Sequence, residues 1–289
     1  MLPDGTVVLT GAHGILGSAF ACVLPADRLV SLGRHDLEPV DPAAVLRHVV
    51  QLKPSLLINC AADTDVEGAE TAPERAFATN ATLAGALARA AAESGARMLH
   101  FGSTGCYGDW KRTPYEEDDT LRPTTVHHSS KAAGEALVLR ASNTSLVMRL
   151  GWVFGGRSEQ RKNFVWARLM EARSKPEIGC NPVQIGCPTY ADDVVRQALV
   201  LLHAQVAGIV NCVGGGAPAS RLDYVAAILA AGGSDTQVSP AVFARRAPVS
   251  PNEAASNARL RCLDLDRMPP WPASLAAYVG SLMNATAAD

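Results

Sequence analysis

His127, a side chain that could carry out proton transfer, lies four residues before Lys131, a cation that could hold a ribose and lower a neighbour's pKa. An imidazole has an unperturbed pKa of about 6.5, which suits a proton donor at neutral pH. A lysine cation beside it disfavours the protonated ring. Ser103 and Thr104 supply hydroxyls that could bind a carbonyl oxygen. These four residues are therefore predicted to form a catalytic group that acts on a carbonyl compound.

Short β-branched runs alternate with alanine-rich stretches and predict the framework that positions these residues. Strand and helix alternate five times, which implies right-handed crossovers and a parallel, doubly wound sheet of the Rossmann type, an α/β fold. The clearest helical pattern covers residues 73–94, and Gly95 is placed to end it. The predicted strands are residues 6–10, 29–32, 56–60, 98–101 and 146–150.

The regular alternation weakens after about residue 150, where proline and glycine become frequent. Residues 1–150 are expected to form the Rossmann domain, and residues 151–289 are expected to form mainly a smaller substrate-binding lobe. A strand near 208–213 is the one later segment that could return to the main sheet. The helices predicted in this part lie near residues 163–173, 190–204, 220–231 and 272–284.

A glycine-rich turn follows the first predicted strand and opens a helix. Glycines tighten such a turn and let the backbone approach a pyrophosphate, whose charge the start of the helix favours. At this position in a doubly wound sheet, the turn predicts dinucleotide binding. The residues assigned to it are Gly11, His13, Gly14, Ile15, Leu16 and Gly17.

Further cofactor residues are expected where later strands end. Arg34 follows the second strand, where an arginine would accommodate the 2′-phosphate of NADP. Asp36 or Glu38 could instead hold the ribose hydroxyls, so NAD stays possible, and Arg34 could also be a plain surface charge. The small residues after the third strand would let a dinucleotide lie across the sheet edge. The remaining residues assigned to the cofactor are Cys60, Ala61, Ala62, Asn80 and Lys131.

Composition narrows the choice of partners. The 289 residues include 48% hydrophobic and 19% charged ones, and the formal net charge is −2. No basic stripe or long apolar run is present, so neither nucleic acid nor a membrane is expected as a partner. The seven cysteines form no paired spacing and fit a reducing compartment, so we expect a cytoplasmic protein. The acidic run at 115–119 has no second ligand cluster, and no metal site is predicted.

Five segments follow one another at residues 59–70 (NCAADTDVEGAE), 150–155 (LGWVFG), 162–165 (KNFV), 184–189 (QIGCPT) and 269–271 (PPW). In this order they resemble the dTDP-4-dehydrorhamnose reductase family, within the extended short-chain dehydrogenases/reductases, and the resemblance covers nearly the whole chain. The resemblance implies a reductase of a nucleotide-linked 4-keto-6-deoxy sugar that uses NAD(P)H, with a homodimer as the possible assembly. It also implies that Tyr107, His128, Trp152, Asn163, Gln184 and Thr189 bind the substrate.

The chain departs from the family pattern at two places. Residues 125–135 (TVHHSSKAAGE) resemble the family's VYGxTKxxGE stretch, which puts His127 on the catalytic tyrosine and His128 on a glycine. Imidazole is shorter than phenol, so His127 would need a water, a shifted substrate, or help from His128 or Tyr107. In place of an Arg-Pro-x-Asn-Ser-like turn, residues 249–253 read VSPNE. A carboxylate at Glu253 would repel a diphosphate if it faced the pocket, and would be irrelevant on an outward-facing loop.

Three functions from different classes follow. The first is an NADP-dependent reductase of a nucleotide-activated keto sugar, in which His127 donates the proton. The second is a non-catalytic, NADP-binding regulatory or scaffold protein, because the family includes a regulatory subunit of methionine adenosyltransferase. The third is a redox-neutral sugar-nucleotide epimerase or dehydratase that keeps its cofactor bound, with His127 or His128 as the base.

Overall fold

The central element is a six-stranded parallel sheet in the computed structural model, which describes residues 4–38 and 40–287. Its strands are β1 (Thr6–Thr10), β2 (Leu29–Leu32), β3 (Pro54–Asn59), β4 (Arg97–Ser103), β5 (Leu146–Leu150) and β10 (Gly208–Cys212). The spatial order is β10-β5-β4-β3-β1-β2. The chain therefore reverses its direction of travel between β1 and β3, and ligands of doubly wound folds bind at such a switch point.

Alternating side chains of the strands explain why the sheet is covered on both faces. In β1, Val7 and Leu9 belong to one buried cluster, and Val8 belongs to the other. All three side chains are fully buried, as expected when helices pack against both faces of a parallel sheet. The helices are α1 (Ile15–Val23), α2 (Arg34–Leu37), α3 (Pro42–Gln51), α4 (Val66–Ala69), α5 (Pro73–Phe77), α6 (Ala84–Glu93), α7 (Val126–Ala141), α8 (Phe164–Ala172), α9 (Ala191–His203), α10 (Arg221–Ala231), α11 (Ala258–Cys262) and α12 (Trp271–Ala287).

A second, smaller body is built around an aromatic core. Trp152, Phe154, Tyr224 and Tyr278 pack together there, with ring centroids about 6 Å apart. Three two-stranded sheets frame this core, and they pair β6 with β9, β7 with β12 and β8 with β11. Their strands are β6 (Trp152–Phe154), β7 (Glu177–Cys180), β8 (Ile185–Gly186), β9 (Pro188–Tyr190), β11 (Ala219–Ser220) and β12 (Gln237–Pro240).

The chain after residue 150 contributes to both bodies. Strand β10 lies parallel to β5 in the main sheet, and α9 packs on the sheet beside α1. The predicted α/β fold with a doubly wound sheet is therefore confirmed. The division of the chain into residues 1–150 and 151–289 stays a proposal, because the strand at 208–212 belongs to the first body in space. In the described part of the chain, no helix is both long and apolar enough to cross a membrane.

The long helical pattern at residues 73–94 differs in detail from the expected single α-helix. It begins as α5, widens into a π-helix over Ala78–Leu83 and continues as α6. Gly134 of α7 lies against this wide turn, where an added Cβ would be 1.9 Å from the Asn80 carbonyl oxygen. The backbone of the π-helix therefore packs directly on the helix that carries His127 and Lys131.

Candidate active site

The glycine-rich turn leaves room for a backbone or a phosphate but for no side chain. Gly11 has φ +67°, and a Cβ there would lie 2.7 Å from the Cys60 carbonyl. A Cβ on Gly17 would lie 2.1 Å from the Gly11 carbonyl oxygen. Helix α1 starts after Gly14 without a side-chain cap, so its first amide groups are open to an anion. This turn fits the pyrophosphate of a dinucleotide, and it also holds His13, Ile15 and Leu16.

The ends of β2 and β3 supply the neighbouring part of the cleft. Arg34 is exposed at the first position of α2. The Asp36 carboxylate accepts a hydrogen bond from the Gly33 backbone N–H at 2.8 Å, so it is engaged locally. Ala61, between Cys60 and Ala62, donates its N–H to Thr10 Oγ1 at 3.1 Å. These residues lie at the same sheet edge as the glycine-rich turn.

Asn80 has a different position from the one expected of a cofactor ligand. It is buried, and its amide donates to the Asp63 carbonyl at 3.0 Å and to Ser130 Oγ at 2.9 Å. Its oxygen accepts the Asp63 N–H at 2.9 Å. The side chain therefore ties the loop after β3 to α7, and any effect on the cofactor would act through that loop.

Lys131 is buried beneath the predicted cofactor cleft. Its Nζ donates a hydrogen bond to the Phe101 carbonyl of β4 at 2.5 Å. Burial lowers the pKa of the lysine, and the nearby Cys106 and Glu135 oppose this shift. An ammonium has three donors, so two remain for hydroxyl groups such as those of a ribose.

His127 lies one turn before Lys131 and is neutral at physiological pH. Burial, together with the charges of His128 and Lys131, lowers its pKa to about 3, while the backbone and charge of Asp63 oppose the shift. His127 in this environment therefore lacks the near-neutral pKa that a proton donor would need. Its Nδ1 is buried and has no hydrogen-bond partner among the residues that the structure describes.

His128 fills space beside the loop after β4. An added Cβ on Gly105 would lie 2.2 Å from His128 Nε2, so the ring rests directly on that loop. Thr125 Oγ1 is 3.1 Å from Nδ1 of the same ring. On the other side, Nε2 lies 3.9 Å from Glu253 Oε1. Glu253 is only 5% exposed, so it faces the pocket and does not lie on an outward-facing loop.

The serine of the predicted catalytic group keeps a free donor. Ser103 Oγ accepts the Gly105 N–H at 3.2 Å, and no acceptor takes its hydroxyl hydrogen among the described residues. Ser103 ends β4, and Thr104 begins the buried 3-10 turn that follows it. Ser103 can therefore donate a hydrogen bond to a substrate oxygen.

Three residues expected to contact substrate have polar groups that are engaged within the protein. Tyr107 is fully buried, and its hydroxyl donates to Asn211 Oδ1 and accepts from Arg149, both at 2.8 Å. Asn163 caps α8 through Trp166 N and bonds Tyr278 at 2.6 Å. Thr189 is fully buried and donates to the Cys187 carbonyl at 2.9 Å. Their hydrogen bonds stabilise the fold, and their role in substrate binding stays a prediction.

Trp152 and Gln184 lie at the wall of the substrate lobe, together with an arginine that the sequence did not reveal. Trp152 Nε1 donates to Glu253 Oε2 at 2.6 Å. The Arg221 guanidinium lies 3.5 Å from the Trp152 ring centroid, and the Arg221 N–H donates to the Gln184 carbonyl at 3.0 Å. No sequence pattern marks Arg221 as a site residue, because an arginine at the first position of a helix is ordinary. Only the folded structure shows that it lies against Trp152.

The two bodies are tied together across the cleft. Gln160 of the lobe donates to the His13 carbonyl at 3.0 Å, next to the glycine-rich turn. Glu67, after β3, accepts a hydrogen bond from Arg245 at 2.7 Å and further ones from the backbone N–H groups of Arg246 and Ala247. Both contacts lie beside the cleft between the smaller body and the sheet edge where the cofactor is predicted to bind. In residues 4–38 and 40–287, no group of three or more His, Cys, Asp or Glu side chains is arranged to hold a metal ion.

Comparison with known proteins agrees with this arrangement. The family described as RmlD substrate binding domain matches residues 5–283. A dTDP-4-dehydrorhamnose reductase of Mycobacterium tuberculosis (strain ATCC 25618 / H37Rv) is 33% identical, covering 98% of this chain and 95% of that protein. The crystal structure of a dTDP-4-dehydrorhamnose reductase from Clostridium acetobutylicum ATCC 824 superposes with a TM-score of 0.91 at 26% identity, covering 96% of this chain and 99% of that one. The reductase from Bacillus anthracis str. Ames, solved in complex with NADP, has a TM-score of 0.89 at 24% identity, covering 96% and 99%.

The doubly wound sheet, the glycine-rich turn and the buried lysine define an extended short-chain dehydrogenase/reductase. Within that class, the chain belongs to the RmlD substrate binding domain family. The resemblance stated from the sequence motifs is therefore confirmed. The roles of His127 and of the other site residues stay predictions.

Proposed function

We propose that the protein is an NADPH-dependent reductase of a nucleotide-linked 4-keto-6-deoxy sugar, with dTDP-4-dehydrorhamnose as the substrate suggested by its relatives. The observation that carries the proposal is the meeting of three groups at one sheet edge. These are the glycine-rich turn, the Lys131 ammonium and the Ser103 hydroxyl. Together they supply a place for a dinucleotide and for a carbonyl oxygen.

The chain's own residues would hold the cofactor at defined points. Gly11, Gly14 and Gly17 give the pyrophosphate access to backbone N–H groups. Lys131, with two donors left, would bind the nicotinamide ribose. Arg34 is exposed and forms no ion pair with any residue that the structure describes, so it is available to a 2′-phosphate, which favours NADP over NAD. The cofactor, when bound, would supply a hydride to the carbonyl carbon.

The carbonyl oxygen needs a hydrogen-bond donor and then a proton. Ser103 can give the hydrogen bond. His127 is neutral, so it can give a proton only after it has gained one. The phosphates of bound nucleotides carry negative charge, and negative charge near an imidazole raises its pKa. His127 would thus become an acid in the loaded site, and water would return the proton after each turnover.

The neutral state of His127 also favours a second candidate. A neutral imidazole with an unpartnered nitrogen is a base, which can take a proton from a sugar hydroxyl. Oxidation at that hydroxyl followed by return of the same hydride would make the protein a redox-neutral epimerase of sugar nucleotides. No structural feature favours the regulatory or scaffold function over these two.

The proposal is tested by mixing the protein with NADPH and dTDP-4-dehydrorhamnose and following absorbance at the nicotinamide band. We expect substrate-dependent loss of NADPH in a one-to-one ratio with reduced sugar, and loss of turnover in Lys131→Met. A parallel assay with NADP⁺ and a dTDP-linked 4-hydroxy sugar tests the redox-neutral alternative, and an epimer formed there without a net change in absorbance would establish it. Tight NADPH binding with no product of either kind would contradict both.

The compartment and the assembly are part of the proposal as well. The seven cysteines are free thiols, which are usual in a reducing compartment, and this supports the cytoplasm. A homodimer is expected from the resemblance, and sedimentation of the purified chain checks it.

A further inference from the structure

Among the described residues, the Arg221 guanidinium makes no hydrogen bond or salt bridge, although much of it is removed from water. It lies flat over Trp152 and its central carbon is 5.6 Å from the Phe164 ring centroid. Burial lowers the pKa of the guanidinium, which reflects how poorly the charge is solvated there, while the charge of the nearby Glu253 carboxylate raises that pKa. A guanidinium has five N–H donors, and leaving them unpaired away from water is costly. The group is thus prepared for an anion.

Arg221 is connected to the reaction centre by a short series of side-chain contacts. Trp152, under the guanidinium, bonds Glu253, and Glu253 faces His128. The ring centroids of His128 and His127 are 5.0 Å apart. Arg221 therefore lies across Trp152 and Glu253 from the catalytic histidine. In a nucleotide sugar with a 4-keto group, the diphosphate is attached at C1, on the far side of the ring from C4. Arg221 occupies the corresponding far side of this site.

Space for a nucleoside adjoins the same arginine. A cavity of about 230 Å³ is lined by Gln184, Phe243 and Arg245, among others. Gln184 accepts the backbone N–H of Arg221, so the cavity begins where α10 begins. Burial lowers the pKa of both His128 and Arg221, and the charge of Arg245, which pairs with Glu67, adds a smaller lowering to both. A second cation thus borders the path from the ketone site to the cavity.

We infer that Arg221 binds the diphosphate of the nucleotide sugar and thereby selects substrates that carry one. The inference rests on the proposed function, because it assumes a nucleotide sugar in this cleft. A guanidinium pairs with phosphate through two parallel hydrogen bonds, and its face stays free to stack on an indole. Trp152 would hold the plane of Arg221 in the orientation needed for that pairing. The two carboxylate oxygens of Glu253 face Trp152 and His128, so Glu253 would lie beside the sugar, whose hydroxyls can donate to it, and its repulsion would reach the diphosphate only from across Trp152.

The test compares binding of dTDP and thymidine to the native chain, Arg221→Gln and Arg173→Gln by calorimetry. Arg173 is a matched control, because it stacks on Trp166 at 5.8 Å in α8, outside this series of contacts. We expect Arg221→Gln to weaken dTDP binding at least about tenfold, because a charge-assisted pair is lost. Thymidine and NADPH should bind Arg221→Gln as they bind the native chain, and Arg173→Gln should bind all three normally.

Other results overturn the inference. Equal dTDP affinity in native and Arg221→Gln would mean that the arginine only packs on Trp152, and equal losses for dTDP and thymidine would mean a general collapse of the pocket. Failure of the native chain to bind dTDP would also overturn it. If Arg221→Gln does not fold, Arg221→Lys keeps the charge without the planar fork and is expected to weaken dTDP binding severalfold.

The inference and the proposed function can fail separately. Binding of dTDP requires no turnover. A dTDP affinity that depends on Arg221, without NADPH oxidation, would therefore contradict only the proposed reductase activity. Turnover with an unchanged KM in Arg221→Gln would remove only the role of the arginine.

Discussion

Replacing Gly17 with alanine is expected to distort the glycine-rich turn, and so to weaken both NADPH binding and the stability of the fold. The new Cβ would lie 2.1 Å from the Gly11 carbonyl oxygen and 2.9 Å from Ala12 Cα. Real Cβ atoms stay at least 3.0 Å from such atoms, so α1 and the turn must separate by roughly 0.9 Å. Both contacts are with backbone, which cannot turn aside as a flexible side chain would.

The expected cost follows from that displacement. Overpacking of a close-packed site costs about 1–3 kcal/mol of unfolding free energy. The same shift moves the N–H groups that face the pyrophosphate, so the Kd for NADPH should rise about tenfold or more. Denaturant unfolding measures the first effect and fluorescence titration with NADPH measures the second.

Gly280→Ala is the matched control for this substitution. Gly280 lies in α12, is exposed, and an added Cβ there meets nothing within 4 Å. Alanine should stabilise that helix by up to about 1 kcal/mol and leave NADPH binding unchanged. If Gly17→Ala behaved like Gly280→Ala, with native stability and native affinity, the close approach at the glycine-rich turn would be refuted.

Three further predictions concern single residues. The folded pKa of His127, about 3, lies below its ordinary value of 6.5, so the unfolded chain takes up this proton first as pH falls. The unfolding free energy, measured by denaturant titration, should therefore fall as the pH is lowered from 6.5. His127→Gln should reduce this pH dependence by up to about 1.4 kcal/mol per pH unit. An unchanged pH dependence in the variant would contradict the neutral, buried ring. Tyr107→Phe removes a hydrogen-bond partner from both Arg149 and Asn211, so it should lower the unfolding free energy by about 1–3 kcal/mol and leave KM for the sugar nucleotide unchanged. A raised KM with native stability would instead show that Tyr107 contacts the substrate. Arg34→Ala should raise the Kd for NADPH about tenfold and leave that for NADH unchanged, whereas equal effects on both would mean that Arg34 is a plain surface charge.

The framework was predictable because it depends on local patterns. Strands β1, β2 and β5 have the predicted bounds, since β-branched runs next to turns decide them. Helix α3 was expected only from the alternation of strands and helices and was given no bounds, although Asp41 at its N-cap and Pro42 at its first position are ordinary start signals. The π-helix at Ala78–Leu83 gives no local signal, because it packs against Gly134 of a distant helix.

The site was less predictable because its properties arise from long-range contacts. Tyr107 comes shortly after Ser103 and Thr104 in sequence. The strands that carry Arg149 and Asn211 come 42 and 104 residues later, and these two side chains hold the Tyr107 hydroxyl in the core. Glu253 reaches Trp152 across 101 residues. The pKa of His127 depends on how deeply the folded chain buries its ring, which spacing alone does not contain.

The most direct test of the reductase function is a single-turnover experiment. Stoichiometric NADPH and protein are mixed with dTDP-4-dehydrorhamnose, and absorbance is followed for the native chain, His127→Ala and His127→Tyr. We expect prompt oxidation of NADPH by the native chain, a loss in His127→Ala, and activity in His127→Tyr. Silence from the native chain, with NADPH bound and oxidation in the tyrosine variant alone, would contradict a reductase that works through His127.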